Sequence, residues 1–150
     1  DKENAVTIVR ELVNAVDDFS TSRTGALICI ERGTALNDIV ETGTIIDAEI
    51  SARLLENLFY EGSPLHDGAM IIGGNRIIAA RCTLPITQRT DIPPQMGMRH
   101  KAAIGISEET DADVIVVSEE TGSISFVKGG KVTHINNINE LKLLLGASLS

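Results

Sequence analysis

The sequence predicts a mixed α/β (α+β) fold: one globular domain with a central mixed β-sheet flanked by helices. Three observations carry that prediction. The runs Gly25-Ala26-Leu27-Ile28-Cys29-Ile30 and Val114-Ile115-Val116-Val117 are apolar throughout, as expected of strands buried on both faces. Two strand pairs are joined by glycine turns, so part of the sheet is antiparallel. Segments with helical spacing of apolar residues stand around these strands.

Taken in order, residues 5–18 predict a helix with Asn4 as its N-cap. Ala5, Ile8, Val9, Leu12, Val13 and Val16 recur at helical spacing, and Val6 widens the stripe. That face is read as core, although an upstream helix or a partner could also cover part of it. Residues 20–24 are a polar connection, and 25–30 form the first buried strand. Arg32-Gly33-Thr34 turn the chain, 36–40 are ambiguous, and 43–47 suit a short strand. Residues 48–59 predict a helix capped by Asp47, with Ile50, Leu54, Leu55 and Leu58 inward.

A hairpin follows, Met70-Ile71-Ile72 returning as Arg76-Ile77-Ile78-Ala79-Ala80 across Gly73-Gly74-Asn75. Pro85 ends the returning strand because it has no N–H to donate. Residues 86–96, with Pro93-Pro94, form a long loop expected at the rim of a site. A helix starting at His100 or Lys101 and running to Glu109 precedes the buried strand 114–117. Residues 123–127 and 131–134 pair across Gly129-Gly130, and 138–145 close the chain as a short helix. The domain reading is therefore one unit over 1–150, with an N-terminal helix (1–19), a core (24–135) and a C-terminal helix (138–146).

The composition excludes several classes. Of 150 residues, 43% are apolar, enough for a core, but aromatic residues make up only 3%, so Ile, Val, Leu and Ala must fill it. A formal charge of −8 argues against a nonspecific nucleic-acid binder, which needs a basic face. An acidic protein that holds phosphates must offset them with local cations or a metal. Cys29 and Cys82 are far apart, in strand-like runs, and are expected as buried thiols of a reducing compartment. No apolar run approaches the roughly 18 residues that a membrane span requires, and no signal peptide is recognisable.

Three stretches carry chemistry. In Ser63-Pro64-Leu65-His66-Asp67-Gly68-Ala69, a carboxylate stands at the mouth of a strand, followed by a glycine that lets a ligand approach the main chain. In Gly97-Met98-Arg99-His100-Lys101, three potential cations meet a helix start, whose free N–H groups and dipole favour an anion. In Val117-Ser118-Glu119-Glu120-Thr121-Gly122, a buried strand delivers a hydroxyl and two carboxylates to its C-terminal end, where α/β folds bind ligands. Each stretch alone also reads as an ordinary polar turn.

Together these residues resemble the diadenylate cyclase domain family, the membrane-anchored CdaA-type cyclases in particular, whose members condense two ATP into cyclic di-AMP. The family's Asp-Gly-Ala motif stands as Asp67-Gly68-Ala69, and its Arg-His-Arg motif as Arg99-His100-Lys101. The resemblance runs from about Thr24 to about Lys128, with two departures: Lys101 replaces the usual Arg, and Met98 stands where Thr is frequent. Lysine keeps the charge and loses the planar fork.

The resemblance implies ATP as substrate, Mn²⁺ or Mg²⁺ as cofactor, and an adenine pocket at Leu84. Asp67 would take the proton of the attacking hydroxyl, with Gly68 and Ala69 completing its motif. Gly97, Met98, Arg99, His100, Lys101, Ser118 and Glu119 would serve the nucleotide and its phosphates. His66 and Glu120 are the candidate metal ligands, His66 being equally readable as a hydrogen-bonded loop residue. A homodimer with facing sites, an upstream transmembrane segment or regulatory protein outside this chain, and a cytoplasmic, membrane-tethered setting are also implied.

Two other readings remain open at this point. One is a nucleotide-binding signalling domain with little turnover. The other is a zinc hydrolase using His66, Asp67 and His100, weaker because zinc needs three or four placed ligands.

Overall fold

A computed structural model describes residues 2–149, with side chains from Asn4 onward. Its centre is a seven-stranded sheet in the order β2-β4-β3-β1-β5-β6-β7. The strands are β1 (Ala26–Ile30), β2 (Thr44–Glu49), β3 (Ala69–Gly73), β4 (Arg76–Cys82), β5 (Asp113–Val117), β6 (Ile124–Lys128) and β7 (Lys131–Ile135). The helices are α1 (Lys2–Ser22), α2 (Asn37–Val40), α3 (Ala52–Phe59), α4 (Met98–Glu109) and α5 (Ile138–Ser148). β1 and β3 pair in parallel, as a crossover through α2, β2 and α3 requires, and the other pairs are antiparallel. The predicted mixed sheet is therefore the one observed.

The continuous apolar strands build two cores, one on each face. Ile28 and Ile30 of β1, with Ile115 and Val117 of β5, pack against Leu12, Val16 and Phe19 of α1, Leu55 and Phe59 of α3, and Leu141 and Leu145 of α5. Leu27 and Cys29, with Val114 and Val116, point the other way and meet Ala103, Ile104 and Ile106 of α4. The period-2 geometry of a strand divides one apolar run between two cores. Each such Ile or Leu, fully buried, contributes about 1.5–3 kcal/mol. Phe19 and Phe59 meet edge to face with centroids 5.5 Å apart, joining α1 to α3. Cys29 and Cys82 are buried free thiols, and burial above all pushes Cys29 up to about 12.

Several local expectations are corrected. Asn4 lies within α1 and is not its cap; the helix runs through Ser22 and takes in part of the expected connection. Ala15 and Phe19 extend the buried stripe, whereas Val6 is 64% exposed. The second helix begins at Ala52, not Ala48. Ser51 is its N-cap, accepting from the Leu54 N–H at 3.1 Å, and Glu11 of α1 accepts from the Ala52 N–H at 3.0 Å. Asp47 instead sits in a bulge of β2 at φ +49° and accepts from Arg76 Nε at 2.8 Å. The ambiguous 36–40 segment is the single turn α2. α4 begins at Met98, two residues before His100, because Gly97 serves as its N-cap.

The hairpin β3–β4 turns at Gly74 and Asn75, whose φ of +54° and +67° are the left-handed pair of a two-residue turn. α5 is capped reciprocally: Asn137 Oδ1 accepts from the Glu140 N–H, and Glu140 Oε2 accepts from the Asn136 N–H.

Candidate active site

One end of the sheet gathers the start of β1, the start of β3, the end of β4 and the end of β5, because β1∥β3 and β1–β5 are in register at Ile28↔Met70 and Ala26↔Val117. The N-terminus of α4 faces the same end. Between them lies a cleft of about 740 Å³, large enough for a nucleotide. Its lining draws on all three motif stretches: His66, Asp67 and Gly68; Gly97, Met98, Arg99 and His100; and Ser118, Glu119 and Glu120.

The first loop is held by its own hydrogen bonds. Buried Ser63 accepts from the Leu65 N–H through Oγ, and its carbonyl accepts from His66 Nδ1 at 2.8 Å. A carbonyl can only accept, so Nδ1 carries the proton and the Nε2 lone pair is left available. Arg81 Nη1 ties the loop to β4 by donating to the Pro64 carbonyl at 3.0 Å. Gly68 has φ +99°, and a Cβ there would lie 2.9 Å from the Cys82 carbonyl oxygen. Glycine is thus needed twice, for the backbone angle and for the close approach of β4. Asp67 beside it is exposed on the cleft wall.

In the second stretch, Gly97 caps α4 without a side-chain hydrogen bond, so first-turn N–H groups are left for another acceptor. Arg99 lies with its guanidinium against the backbone of Gly25, and its Nη1 is 3.7 Å from Glu119 Oε1. His100 is buried and its Nε2 is 3.3 Å from Ser125 Oγ of β6. Burial, and secondarily the Arg99 charge, hold His100 below the usual histidine range. His100 is therefore a neutral, hydrogen-bonded residue and not one of three cations. Lys101 is half-buried and does not line the cleft. Of the three, Arg99 alone is a cation that faces it.

In the third stretch, Ser118 Oγ accepts from the Glu120 and Thr121 N–H groups at 3.2 and 3.3 Å, which fixes the turn and leaves the hydroxyl proton free to donate. α1 holds this turn from behind. Ser20 Oγ donates to the Gly122 carbonyl, and Arg23 Nη1 to the Glu120 carbonyl at 3.4 Å.

Leu84, Ile86, Pro94 and Gln95 line the cleft, whereas Ala69 is buried in β3. The sequence did not mark Thr83, whose N–H donates to Thr42 Oγ1 at 2.8 Å, nor Cys82. It did not mark Gly25 or Ser20 either, and nothing local distinguishes those two. Among the described residues no three His, Cys, Asp or Glu side chains gather as a metal cluster, and His134 is on β7, at the far edge of the sheet. That arrangement does not suit a closed zinc centre. It does suit a hard divalent cation held by one or two protein donors and completed by phosphate oxygens and water.

A mixed sheet with a helix N-terminus, a guanidinium and carboxylates gathered around a cleft at one end defines a single-domain α/β protein. The family follows from comparison. Residues 13–132 match the model described as DisA bacterial checkpoint controller nucleotide-binding (DAC), and the chain belongs to that family. The chain is 42% identical over 139 residues to the cyclic di-AMP synthase CdaA of Bacillus subtilis, covering 93% of this chain and 51% of that one. It is 46% identical over 119 residues to the diadenylate cyclase CdaS of Bacillus thuringiensis, covering 79% and 59%. It thus spans little more than half the length of these curated relatives. The crystal structure of a double cysteine mutant of DacA from Staphylococcus aureus superposes with a TM-score of 0.93 at 41% identity, covering 95% of each chain. The crystal structure of a hypothetical membrane spanning protein from Bacillus cereus superposes at 0.82 with 44% identity, covering 85% of this chain and 63% of that one.

Proposed function

We propose that this domain is a diadenylate cyclase, a nucleotidyltransferase that condenses two ATP into cyclic di-AMP with release of two pyrophosphates. The observation that carries this is the convergence of the three stretches on one nucleotide-sized cleft. Family membership and the names of the relatives support the same reading.

In each of two steps a ribose 3′-oxygen bonds to an α-phosphorus of the other nucleotide, and the bond from that phosphorus to pyrophosphate breaks. Asp67, exposed on the cleft wall, accepts the hydroxyl proton. Arg99, the first-turn N–H groups of α4 and the Ser118 hydroxyl face the negative charge that builds on the phosphates. Neutral His100 braces α4 against β6, and Leu84 borders the adenine. His66, through Nε2, and Glu120 are the protein groups that would hold Mn²⁺ or Mg²⁺, which when bound lowers the pKa of the hydroxyl and offsets phosphate charge. His66 suits Mn²⁺ better than Mg²⁺.

One domain presents one Asp67 to one ribose, while the product needs two attacks. Two copies facing each other about a two-fold axis supply both. Among the described residues no helix is long and apolar enough to cross a membrane. Tethering of a cytoplasmic domain through a segment outside this chain, and a regulatory protein acting there, are part of the same proposal. Its support is the likeness to the Bacillus cereus protein, which is described as membrane spanning.

The test is to incubate the chain with ATP and Mn²⁺ or Mg²⁺ at several protein concentrations and identify the product by mass. Cyclic di-AMP is expected. Tight ATP binding with no cyclic dinucleotide at any concentration would leave a nucleotide-binding signalling domain instead.

A further inference from the structure

We propose that Gly25 is a positioning residue for Arg99: the missing side chain at the start of β1 is what lets the guanidinium lie in the cleft where the phosphates are read to bind. The inference deepens the nucleotide reading of that cleft and rests on it.

Gly25 is buried and is not among the residues with positive φ, so conformational freedom is not why glycine stands there. What a Cβ would meet is specific. The three nearest atoms are Cζ, Nη1 and Nη2 of Arg99, all within overlap distance. At Gly68, Gly105 and Gly122 the obstacle includes main chain: the Cys82, Pro85 and Ser20 carbonyls respectively. At Gly25 it is the free end of a long side chain. An added methyl would therefore move the guanidinium rather than the fold.

The other flank of Arg99 is Glu119, 3.7 Å away and with its side chain 68% exposed. Such a pair is long and solvent-screened, so it cannot by itself fix the guanidinium. The backbone surface at Gly25 supplies the fixed wall. A guanidinium placed in advance at the α4 N-terminus loses little freedom on meeting a phosphate, and its planar fork gains from alignment.

The experiment compares the parent with Gly25→Ala, Arg99→Ala and the double variant. Melting temperatures and calorimetric binding of ATP and of adenosine are measured. Gly25→Ala is expected to melt within a few degrees of the parent and to bind adenosine unchanged. Its ATP affinity should fall at least tenfold. In the Arg99→Ala background the same change should cost less than twofold.

Unchanged ATP affinity, or an equal fold-loss in both backgrounds, would overturn the inference. So would a Gly25→Ala chain that melts far below the parent, since the methyl would then be meeting something that cannot move. The cyclase reading fails separately: a parent that binds ATP through Arg99 but forms no cyclic dinucleotide sinks that reading and leaves the role of Gly25 standing. An active parent with an indistinguishable Gly25→Ala variant does the reverse, and a parent that binds no ATP ends both.

Discussion

The hydroxyl of Ser20, near the end of α1, donates to the carbonyl oxygen of Gly122 at 2.6 Å, joining residues 102 positions apart. Gly122 closes the turn that carries Ser118, Glu119 and Glu120, and at φ +77° it presses so closely on the Ser20 carbonyl that a Cβ would not fit. The helix that enters the domain is therefore also the support of one wall of the cleft.

Ser20→Ala should keep the fold but loosen that wall. One partly buried hydrogen bond contributes about 1 kcal/mol, which in a domain of this size lowers the melting temperature by about 2–4 °C. The metal concentration for half-maximal product formation should rise severalfold, because Glu120 is on the freed turn. A variant with the expected melting shift and an unaltered metal requirement would show that the turn is held well enough without α1.

Gly105→Ala sets two effects against each other. In an exposed helix the change would stabilise by about 1 kcal/mol through helix propensity. Here the new methyl would overlap the carbonyl of Pro85, a main-chain group that cannot turn aside, and overpacking costs about 1–3 kcal/mol. Overpacking should win, and the N–H of Thr87 should lose its 3.1 Å bond to the Lys101 carbonyl. The urea midpoint is expected to fall; a rise would mean that the 85–87 segment yields easily.

His100 should make stability depend on pH between neutrality and mild acid. Burial, then Arg99, lowers its folded-state value beneath the ordinary 6.5 of the unfolded chain. Below about that pH the unfolded state binds the proton more readily than the folded state, so stability is lost as pH falls. Above 6.5 both states are neutral and the effect vanishes. His100→Gln should flatten this part of the profile in urea titrations from pH 7.5 to 5.5. An NMR titration that places His100 above the ordinary value would reverse the sign and refute the assignment.

Asp67→Asn should abolish product while leaving fold and ATP binding intact, since the amide is nearly isosteric but cannot take a proton. Turnover per parent chain should rise with protein concentration. Parent chains mixed with an excess of differently tagged Asp67→Asn chains should lose yield as mixed pairs form. Mixed pairs that leave the yield per parent chain unaltered would exclude joint action of two facing sites.

Much of this protein was legible in the linear chain. Continuous apolar runs predicted buried strands because a strand covered on both faces has no polar side to show. Gly74-Asn75 and Gly129-Gly130 predicted hairpins because their turns require left-handed backbone that few other residues adopt. The three polar stretches stood out for the same reason, as breaks in an otherwise apolar pattern.

Other features were decided only by folding. Ser51 displaced Asp47 as the helix cap because β2 continues to Glu49, and strand pairing with β4 is a contact across 27 or more residues that no local propensity records. His100 was indistinguishable from a surface cation until β6 and α4 enclosed it. Gly25 and Ser20 meet neighbours 74 and 102 positions away, Arg99 and Gly122. Sequence alone determined which residue types were available to the cleft and the local geometry that flanks them. Which of those residues face it, in what charge state and against what support, was set by side chains packing from distant parts of the chain, where burial and steric exclusion act regardless of separation along it.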